Sequence, residues 1–498
     1  MRIEANRKEG YELLHEGVVE LSRVEANGIR IDTELLDQTK LDLKAKIKSI
    51  TEELQQDEVW VNWRKRFGQN RNLTSLKQLS KVLSLDLGME LEYLEKKAHM
   101  KEANAKMDSE ALSKIDHPFI TLYGRMLKYE KALGTFLKGI EMEVVDGRLH
   151  PVFNLHTART YRSSSDSPNF QNLPVRDKEI AKIIRSLFVP TEGYCLVEND
   201  FKGIEVSLSS CYHHDKNFIS YITSPGKDMH RDMAAQLYLM NPEQVSKEAR
   251  YGAKNKFVFP QFYGDFYVSC ARSLWEWIGQ GELKGPFGED LYEHLRDQGI
   301  THLGACDPEV DPDVDSFEYH VQQVERDFWD NRFQQYGRWR KEWYREYLEK
   351  GYFDLLTGFR IHGSFRRNSV VSYPVQGSAF HCLLWTLIHV NKSLRKYRMK
   401  SKVVGQIHDS LIGDVHPKEL RDYLSIVEEI TTVKLRKQFD WLVVPLVIEY
   451  EMSGVDKSWY EKREFQFEKG KFLHPGDPPT DMRTEDSRVF LRELARKN

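Results

Sequence analysis

Two aspartates stand at positions where a carboxylate is costly to bury. Asp200 lies at the end of the apolar segment TEGYCLVENDF, and Asp409 at the bend of KSKVVGQIHDSLIGDV. The first segment reads as a buried strand ending at Asp200, and the second as a hairpin of the same sheet. A buried carboxylate needs a partner or a metal ion. Mg²⁺ prefers one or two carboxylates completed by water and phosphate oxygens, and two such ions can promote phosphoryl transfer. The alternative is that both aspartates cap turns.

A pair of cations in the middle of the chain suits the same chemistry. Arg250 and Lys254 are four residues apart and therefore share one face of a helix. Lysine acts as a point charge and arginine as a planar fork, so together they can grip a triphosphate. His230 begins the same helical region and offers a further phosphate donor. The alternative is a solvated helix face.

The surrounding segments indicate a mixed helical and stranded protein. Residues 1–140 carry amphipathic, mixed-charge helical patterns, with Asn72, Thr74 or Ser75 as candidate helix caps. Strand patterns follow, and residues 228–262 return to helix. Residues 275–320 are rich in glycine, proline and aspartate and predict an insertion with loops, and residues 321–350 predict an aromatic-rich helix.

Composition excludes several classes of protein. The 498 residues are 40% hydrophobic and 30% charged, which excludes a disordered chain. No apolar run reaches the roughly 18 residues of a membrane helix, and the N-terminus has no apolar signal core, so we expect no membrane partner. Five scattered cysteines favour reduced thiols in a cytoplasmic location. The net charge of −3 does not exclude a nucleic-acid binder, because a basic groove needs only local clustering.

Seven ordered segments between Val19 and Phe465 resemble the polymerase region of family A DNA polymerases. VELSRVEANGIRID and NLTSLKQL resemble its thumb, and TARTYRSSSDSPNFQNLPVR its first palm motif. NDFKGIEVS resembles motif A. DMHRDMAAQLY with RYGAKNKFVFPQFYG resembles the fingers motif B, and SYPVQGSAF and GQIHDSL the later palm motifs, the last being motif C.

The resemblance implies an α+β right-hand polymerase fold, with an antiparallel-sheet palm, helical fingers and a helical thumb. The regions it implies are 1–140 for the N-terminal segment and thumb, 141–215 for the first part of the palm, 216–354 for the fingers with an insertion at about 275–320, 355–464 for the second part of the palm, and 465–498 for a polar C-terminal tail.

The resemblance also implies a role for each matching residue. Asp200, Asp409 and the backbone carbonyl of Phe201 would bind two Mg²⁺ ions, for which Mn²⁺ could substitute. Arg250, Lys254 and His230 would bind the triphosphate of a dNTP, with Lys254 as proton donor to pyrophosphate. Glu205 and Phe259 would contact the sugar, with Glu205 blocking a 2′-hydroxyl, and Tyr263 would stack at the templating position. Arg162, Gln376 and His408 would contact the primer-template DNA.

The fingers segment departs from the family pattern by one residue. The family spaces its lysine and phenylalanine by four residues, whereas Lys254 and Phe259 are five apart. Because five steps do not return to the same helix face, and because Pro260 disturbs the preceding turn, we predict a π-bulge or kink here. The competing register places Val258 at the sugar and Phe262 at the template, and a regular helix would favour it.

Other departures concern the metal site and fidelity. Ser410 stands where an acidic residue usually follows the motif C aspartate, which weakens any third-carboxylate role. Gly203 and Ser372 replace a common glutamine and asparagine, so checking of the minor groove could be thinner. Residues 211–215 (CYHHD) could suggest a metal site, but helix packing explains them better.

The thumb-like segment begins within the first 30 residues, so we expect a polymerase without an intrinsic 3′–5′ proofreading domain, served by a separate exonuclease or another replication protein. Asp32-Thr33-Glu34 mimics an exonuclease motif but lacks partner motifs. The same features suggest a phage-type replicase, acting in the host cytoplasm. Two rivals remain: a single-subunit RNA polymerase, disfavoured by Glu205 and Phe259, and a non-catalytic DNA-binding scaffold, disfavoured by the two aspartates.

Overall fold

The strands of the protein are short and pair antiparallel within their sheets. The computed structural model describes residues 4–91, 105–108, 111–112, 115–280 and 283–473. In chain order the strands are β1 (Ile29–Ile31), β2 (Val144–Val145), β3 (Arg148–Leu149), β4 (Val152–Asn154), β5 (Ser164–Asp166), β6 (Phe188–Val189), β7 (Cys195–Phe201), β8 (Tyr352–Asp354), β9 (Arg360–His362), β10 (Lys402–Ile407), β11 (Ser410–Val415), β12 (Ile448–Met452), β13 (Arg463–Phe465), β14 (Phe467–Glu468) and β15 (Lys471–Phe472).

Helices make up most of the remaining described structure. They are α1 (Arg7–Asn27), α2 (Thr33–Leu54), α3 (Glu58–Phe67), α4 (Leu76–Lys81), α5 (Pro118–Lys131), α6 (Lys138–Glu143), α7 (Lys178–Arg185), α8 (Ile204–His213), α9 (Lys216–Thr223), α10 (Met229–Leu237), α11 (Lys247–Ala253), α12 (Phe259–Phe262), α13 (Tyr267–Gln280), α14 (Leu291–Asp297), α15 (Phe317–Arg326), α16 (Gln334–Lys350), α17 (Arg367–Lys396), α18 (Leu420–Glu428) and α19 (Leu435–Gln438). Short π-helical turns occupy Val82–Asp86, Ala132–Leu137, Lys254–Val258, Asp327–Arg332 and Glu429–Lys434.

The central sheet has the order β10–β11–β7–β12–β13. β10 and β11 form the predicted hairpin around His408 and Asp409, and β11 pairs along β7 from Ser410–Asp200 to Val415–Cys195. β7 and β11 are buried along almost their whole length, because helices cover the sheet. The prediction of one sheet for both aspartates is confirmed, although β7 ends at Phe201, one residue later than expected.

The described residues among the first 140 are mostly helical, as predicted, and side chains cap several of these helices. Asn6, Asp32 and Asp57 accept hydrogen bonds from the first turns of α1, α2 and α3. Of the three caps proposed before α4, the structure uses Ser75. These caps satisfy amides that a helix leaves unpaired at its start.

A 30-residue helix, α17, runs through the centre of the molecule. It is buried on most sides, and its buried residues include polar ones such as Ser378, His381 and Asn391 besides the apolar majority. Near its C-terminal end Asn391 donates to the carbonyl of Glu20 on α1, and Arg395 forms a bidentate ion pair with the Glu20 carboxylate. The helix therefore joins the palm-like sheet to the thumb-like helices.

Two hydrophobic cores build the molecule. The larger core covers the central sheet, α17 and the first 140 residues, and includes Leu21, Val197 and Leu387. The second covers the predicted fingers and includes Phe218 and Phe257. Trp339 packs against both cores. No helix in the described ranges is long and apolar enough to cross a membrane.

Three predictions about individual segments need correction. The insertion is not only loops, since it contains α14 and begins and ends within α13 and α15. The helix predicted at residues 321–350 is broken by the π turn at Asp327–Arg332. The predicted polar tail starts too early, because residues 465–473 include the end of β13 and all of β14 and β15. Its remainder, 474–498, lies outside the described residues.

Candidate active site

The sheet brings the two predicted aspartates together although they are 209 positions apart in the chain. Asp200 is the register partner of Ser410, the residue after Asp409. The backbone amide of Phe201 donates to the carbonyl of Asp409 at 3.1 Å. The hairpin can bend this sharply because His408 adopts a left-handed conformation with φ of 49°. Both aspartates therefore lie at one end of β7 and β11.

The site carries negative charge that the protein does not neutralise. Burial, followed by the charges of the neighbouring Asp409, Glu198 and Glu449, raises the pKa of Asp200 to about 7. Burial also raises the pKa of Asp409 to about 6, with Glu205 adding to the effect and Arg162 opposing it. Within the described ranges neither Asp200 nor Asp409 has a side-chain hydrogen bond or ion pair. A cation at this position would relieve the repulsion.

The two carboxylates suit a hard divalent cation that takes most of its oxygen ligands from water and phosphate. Across the described segments no three or more His, Cys, Asp or Glu side chains cluster as a metal site. A zinc site would need such a cluster, whereas Mg²⁺ binds through one or two carboxylates plus water and phosphate. Phe201 ends the same strand as Asp200, so its backbone lies beside the pair.

The sequence analysis did not identify Glu198 and Lys462, which lie beside the aspartates. Glu198 lies two residues before Asp200 and hence on the same face of β7. It accepts hydrogen bonds from Ser410 Oγ at 3.1 Å and Trp459 Nε1 at 2.9 Å, and it pairs with Lys462. Lys462 opposes the rise in the pKa of Asp200. Strand alternation could have revealed Glu198, but no local signal marks Lys462.

Arg162, Glu205, Tyr263 and Gln376 meet in one network, as the predicted site requires. Arg162 forms an ion pair with Glu205, and its Nε donates to the backbone carbonyl of Gln376 at 3.2 Å. The hydroxyl of Tyr263 donates to the other oxygen of Glu205 at 2.6 Å. Burial, together with Glu205, raises the pKa of Tyr263, so the phenol stays protonated. The network links the palm, through Arg162 and Gln376, to the fingers.

His408 precedes Asp409 in the turn that joins β10 to β11. Burial and the nearby Arg162 lower the pKa of His408. Its carbonyl accepts a hydrogen bond from the buried Gln406 at 2.8 Å, and Gln406 accepts from Ser163 and Gln171, each at 2.7 Å. The sequence analysis did not single out Gln406, which fixes the turn that presents His408.

The predicted π-bulge in the fingers segment is confirmed. Residues Lys254–Val258 form a π turn, and the amide of Phe259 donates to the carbonyl of Lys254, five residues earlier. The π turn accommodates the extra residue. Phe259 and Tyr263 share one face of the segment, and their stacked rings have centres 6.1 Å apart. Together with Glu205 they line a cavity. The competing register would need Val258 at the sugar and Phe262 at the template, but Val258 is fully buried and Phe262 packs against Tyr336.

The predicted phosphate ligands converge beside this cavity. Lys254 Nζ lies 5.4 Å from the centre of the Phe259 ring, and the His230 ring lies 5.7 Å from it. Arg250 Nε lies 2.7 Å from a carboxylate oxygen of Asp228, which also caps α10, the helix that begins at Met229 and carries His230. Burial and the charges of Arg250 and Lys254 lower the pKa of His230 to about 4, so its imidazole is neutral at pH 7.

The cluster at residues 211–215 is structural. The His213 ring stacks on Tyr336 at 3.9 Å, and burial lowers its pKa well below the usual value. Asp215 accepts backbone hydrogen bonds from Phe218, Gln335 and Tyr336 at 2.9–3.0 Å. The cluster fastens the end of α8 to the start of α16, which agrees with the packing interpretation.

Comparisons with known proteins all identify DNA polymerases as similar to this chain. The sequence model of DNA polymerase family A matches residues 34–279 and 329–461. DNA polymerase I of Lactococcus lactis subsp. cremoris (strain MG1363) is 24% identical over 460 residues, covering 89% of this chain and 45% of the relative. Thermostable DNA polymerase I of Thermus thermophilus is 26% identical over 464 residues, covering 89% and 47%. The chain thus spans a little under half the length of these relatives.

A solved structure supports the fold. It is the POL domain of Pol1 from M. smegmatis in complex with DNA primer-template and dNTP, with a TM-score of 0.68 and 23% identity over 89% of this chain and 70% of that chain. The right-hand architecture predicted from the sequence is confirmed. The family match leaves residues 280–328 uncovered, a stretch that overlaps the predicted insertion.

The raised pKa of Asp200 predicts a pH-dependent effect of Asp200→Asn on stability in metal-free buffer. Because folding raises this pKa to about 7, the wild-type protein loses stability as the pH rises from about 4 through 7. At pH 8 the free energy of unfolding of the neutral variant should therefore be about 1–3 kcal/mol higher than that of the wild type, and near pH 4 the two should be equal. Urea unfolding at a series of pH values measures this difference.

Two comparisons control this experiment. The exposed turn substitution Asp146→Asn should give no gain at either pH. At pH 8, saturating Mg²⁺ should reduce the difference in unfolding free energy between Asp200→Asn and the wild type. The reason is that the ion would bind the folded wild-type protein, whereas the variant lacks one of the carboxylates. A gain in stability that does not vary with pH would contradict the charge repulsion inferred for this site.

Proposed function

The chain belongs to DNA polymerase family A, and we propose that it extends the 3′ end of a DNA primer on a template strand by using dNTPs. One observation carries this proposal: Asp200 and Asp409 lie together with uncompensated negative charge, beside the fingers segment that presents Arg250 and Lys254. The relatives bearing the name DNA polymerase I and the primer-template and dNTP of the solved POL domain support the same reaction.

Asp200, Asp409 and the carbonyl of Phe201 would hold two Mg²⁺ ions, with Mn²⁺ as a substitute. Bound there, the ions would supply charge neutralisation for in-line attack of a primer hydroxyl on the α-phosphate. The carboxylates must be ionised to bind them, and their raised pKa values make binding favour higher pH.

Arg250, Lys254 and His230 would hold the triphosphate. His230 is neutral and would donate a hydrogen bond, whereas Lys254 and Arg250 would supply positive charge. Arg250 is already oriented by Asp228, so it would reach a phosphate with little further ordering. Lys254 would give a proton to the departing pyrophosphate.

Glu205 and Phe259 would enclose the sugar, and Tyr263 would cover the templating position. Glu205 is fixed by Arg162 and by Tyr263, so a 2′-hydroxyl would meet a side chain that cannot easily move away. This arrangement favours DNA over RNA synthesis and argues against the single-subunit RNA polymerase. Arg162, Gln376 and His408 would contact the primer-template end through minor-groove acceptors common to all base pairs.

We also propose that the chain does not itself remove mismatched 3′ ends and relies on a separate exonuclease. Asp32, in the motif that mimics an exonuclease site, is the N-cap of α2 and accepts a hydrogen bond from the Leu35 amide at 2.9 Å. The five cysteines are buried, which supports action in a reducing cytoplasm. A role in phage-type viral DNA replication stays a prediction, because the relatives compared are bacterial.

Asp409→Ala should reduce primer extension by about 10³-fold, because it removes one of the two carboxylates facing the reacting phosphates. Binding of primer-template DNA should stay within about threefold of wild type and should weaken with salt. Rapid-quench extension and fluorescence anisotropy measure these two properties. Undiminished synthesis would remove the mechanism and favour the scaffold alternative.

Glu205→Ala should lower the preference for deoxy- over ribonucleotides by roughly 10–100-fold, since the barrier to a 2′-hydroxyl is removed. The measurement is single-nucleotide incorporation of each dNTP and its matching rNTP. Tyr263→Phe is the matched control, because it removes the hydroxyl that contacts Glu205 but keeps the ring, and its preference should change far less. An unchanged ratio in Glu205→Ala would refute the sugar contact.

A primer with a mismatched 3′ end should remain intact when incubated with the purified chain and Mg²⁺ in the absence of dNTPs. The physical reason is that Asp32 is already used as a helix cap. Gel analysis over hours measures shortening. Metal-dependent loss of the terminal nucleotide that persists in Asp32→Asn would place an exonuclease activity elsewhere in the chain, and loss abolished by that substitution would place it at Asp32.

A further inference from the structure

A buried polar network lies beneath α12, on the side away from the cavity. Gln261 stands between Phe259 and Tyr263 and is fully buried. Its Oε1 accepts a hydrogen bond from Trp329 Nε1 at 2.7 Å, and its Nε2 donates to the carboxylate of Glu325. Because the indole nitrogen can only donate and an ionised carboxylate only accepts, both bonds require one orientation of the Gln261 amide.

The network is costly to bury. Burial raises the pKa of Glu325 to about 7, opposed by Gln261, by Arg340 and by the Tyr267 amide, while Asp265 adds to the rise. Arg340 lies with its guanidinium 4.2 Å from the Trp329 ring centre, and its Nε has no hydrogen-bond partner among the described residues. An apolar group in place of Gln261 would leave Trp329 Nε1 without its acceptor and would remove one hydrogen bond from Glu325.

The same network joins two π turns. Gln261 follows the turn Lys254–Val258, and Trp329 lies inside the turn Asp327–Arg332. Phe257 in the first turn meets Phe328 in the second edge-on, with ring centres 5.9 Å apart. Glu325 belongs to α15, in the stretch 280–328 that the family match leaves uncovered. A segment outside the family match therefore supports α12, the helix that carries Phe259.

We propose that Gln261 and Glu325 are positioning residues, which set the angle at which Phe259 and Tyr263 meet the incoming dNTP. The idea rests on the proposed function. Phe259 and Tyr263 share one face of the segment and Gln261 points from the other, so rotation of α12 would break both bonds of Gln261. Apolar contacts tolerate such small rotations, whereas a fully bonded polar network favours one arrangement.

Single-turnover incorporation at increasing dNTP concentration tests the proposal, because it separates the dNTP Kd from the maximal rate. Gln261→Leu and Glu325→Leu should each raise the Kd about tenfold, with the maximal rate within about twofold of wild type. Glu325→Gln keeps an oxygen acceptor for Gln261 and should stay within about threefold of wild-type Kd. Gln334→Leu makes the same chemical change at an exposed position and should alter neither value.

The double variant Gln261→Leu/Glu325→Leu separates positioning from simple stability. Removing both partners leaves fewer unpaired buried groups, so its unfolding free energy should recover relative to the single variants. Its Kd should nevertheless remain raised about tenfold, since the polar restraint on α12 is still missing. If Gln261→Leu does not fold, the two Glu325 variants and Gln261→Met provide the same comparison.

Two results would overturn the proposal. One is an unchanged dNTP Kd in Gln261→Leu and Glu325→Leu, and the other is a Kd that follows the unfolding free energy across the whole set, including the double variant. These outcomes differ from failure of the proposed function, in which the wild-type chain would not extend a primer at all.

Discussion

The repulsion between carboxylates on adjacent strands is the constraint on which the site depends. Asp200 lies in β7 between two neighbours, with Ser410 of β11 on one side and Glu449 of β12 on the other. Strand alternation places Glu198 on the same face. A slip of one residue in either ladder would turn Asp200 to the other side of the sheet, so the hydrogen-bond register itself sets how much negative charge gathers at this end.

The fingers segment carries positive charge that complements these carboxylates. A single extra residue in this segment determines how its side chains are oriented. Because Phe259 follows Lys254 by five positions, a regular helix would turn the two side chains apart. The π turn accommodates the extra residue and returns Phe259 and Tyr263 to the side that faces Glu205. A second π turn, around Phe328, packs against the first, so the irregularity is supported by the core of the fingers.

Much of this arrangement could be predicted because its signals are local. The β10–β11 hairpin follows from apolar strands around a turn, and the π turn from the spacing of Lys254 and Phe259. The contacts of Lys462 with Glu198 and of Gln261 with Glu325 could not be predicted, since they join residues 264 and 64 positions apart. A polar side chain in an apolar pattern looks like an exposed residue until its distant partner is known.

Helix α17 connects regions that otherwise lie far apart. It carries Gln376, whose backbone carbonyl accepts a hydrogen bond from Arg162. About 19 residues later Arg395 forms a bidentate ion pair with Glu20 of the thumb-like α1. At about 1.5 Å per residue these points are separated by nearly 30 Å of rigid rod. A thumb that shifts as it follows a duplex would therefore displace the far end of this helix, and the strain would reach Arg162 and Gln376, the residues proposed to contact the groove, without a loop in the helix to absorb it.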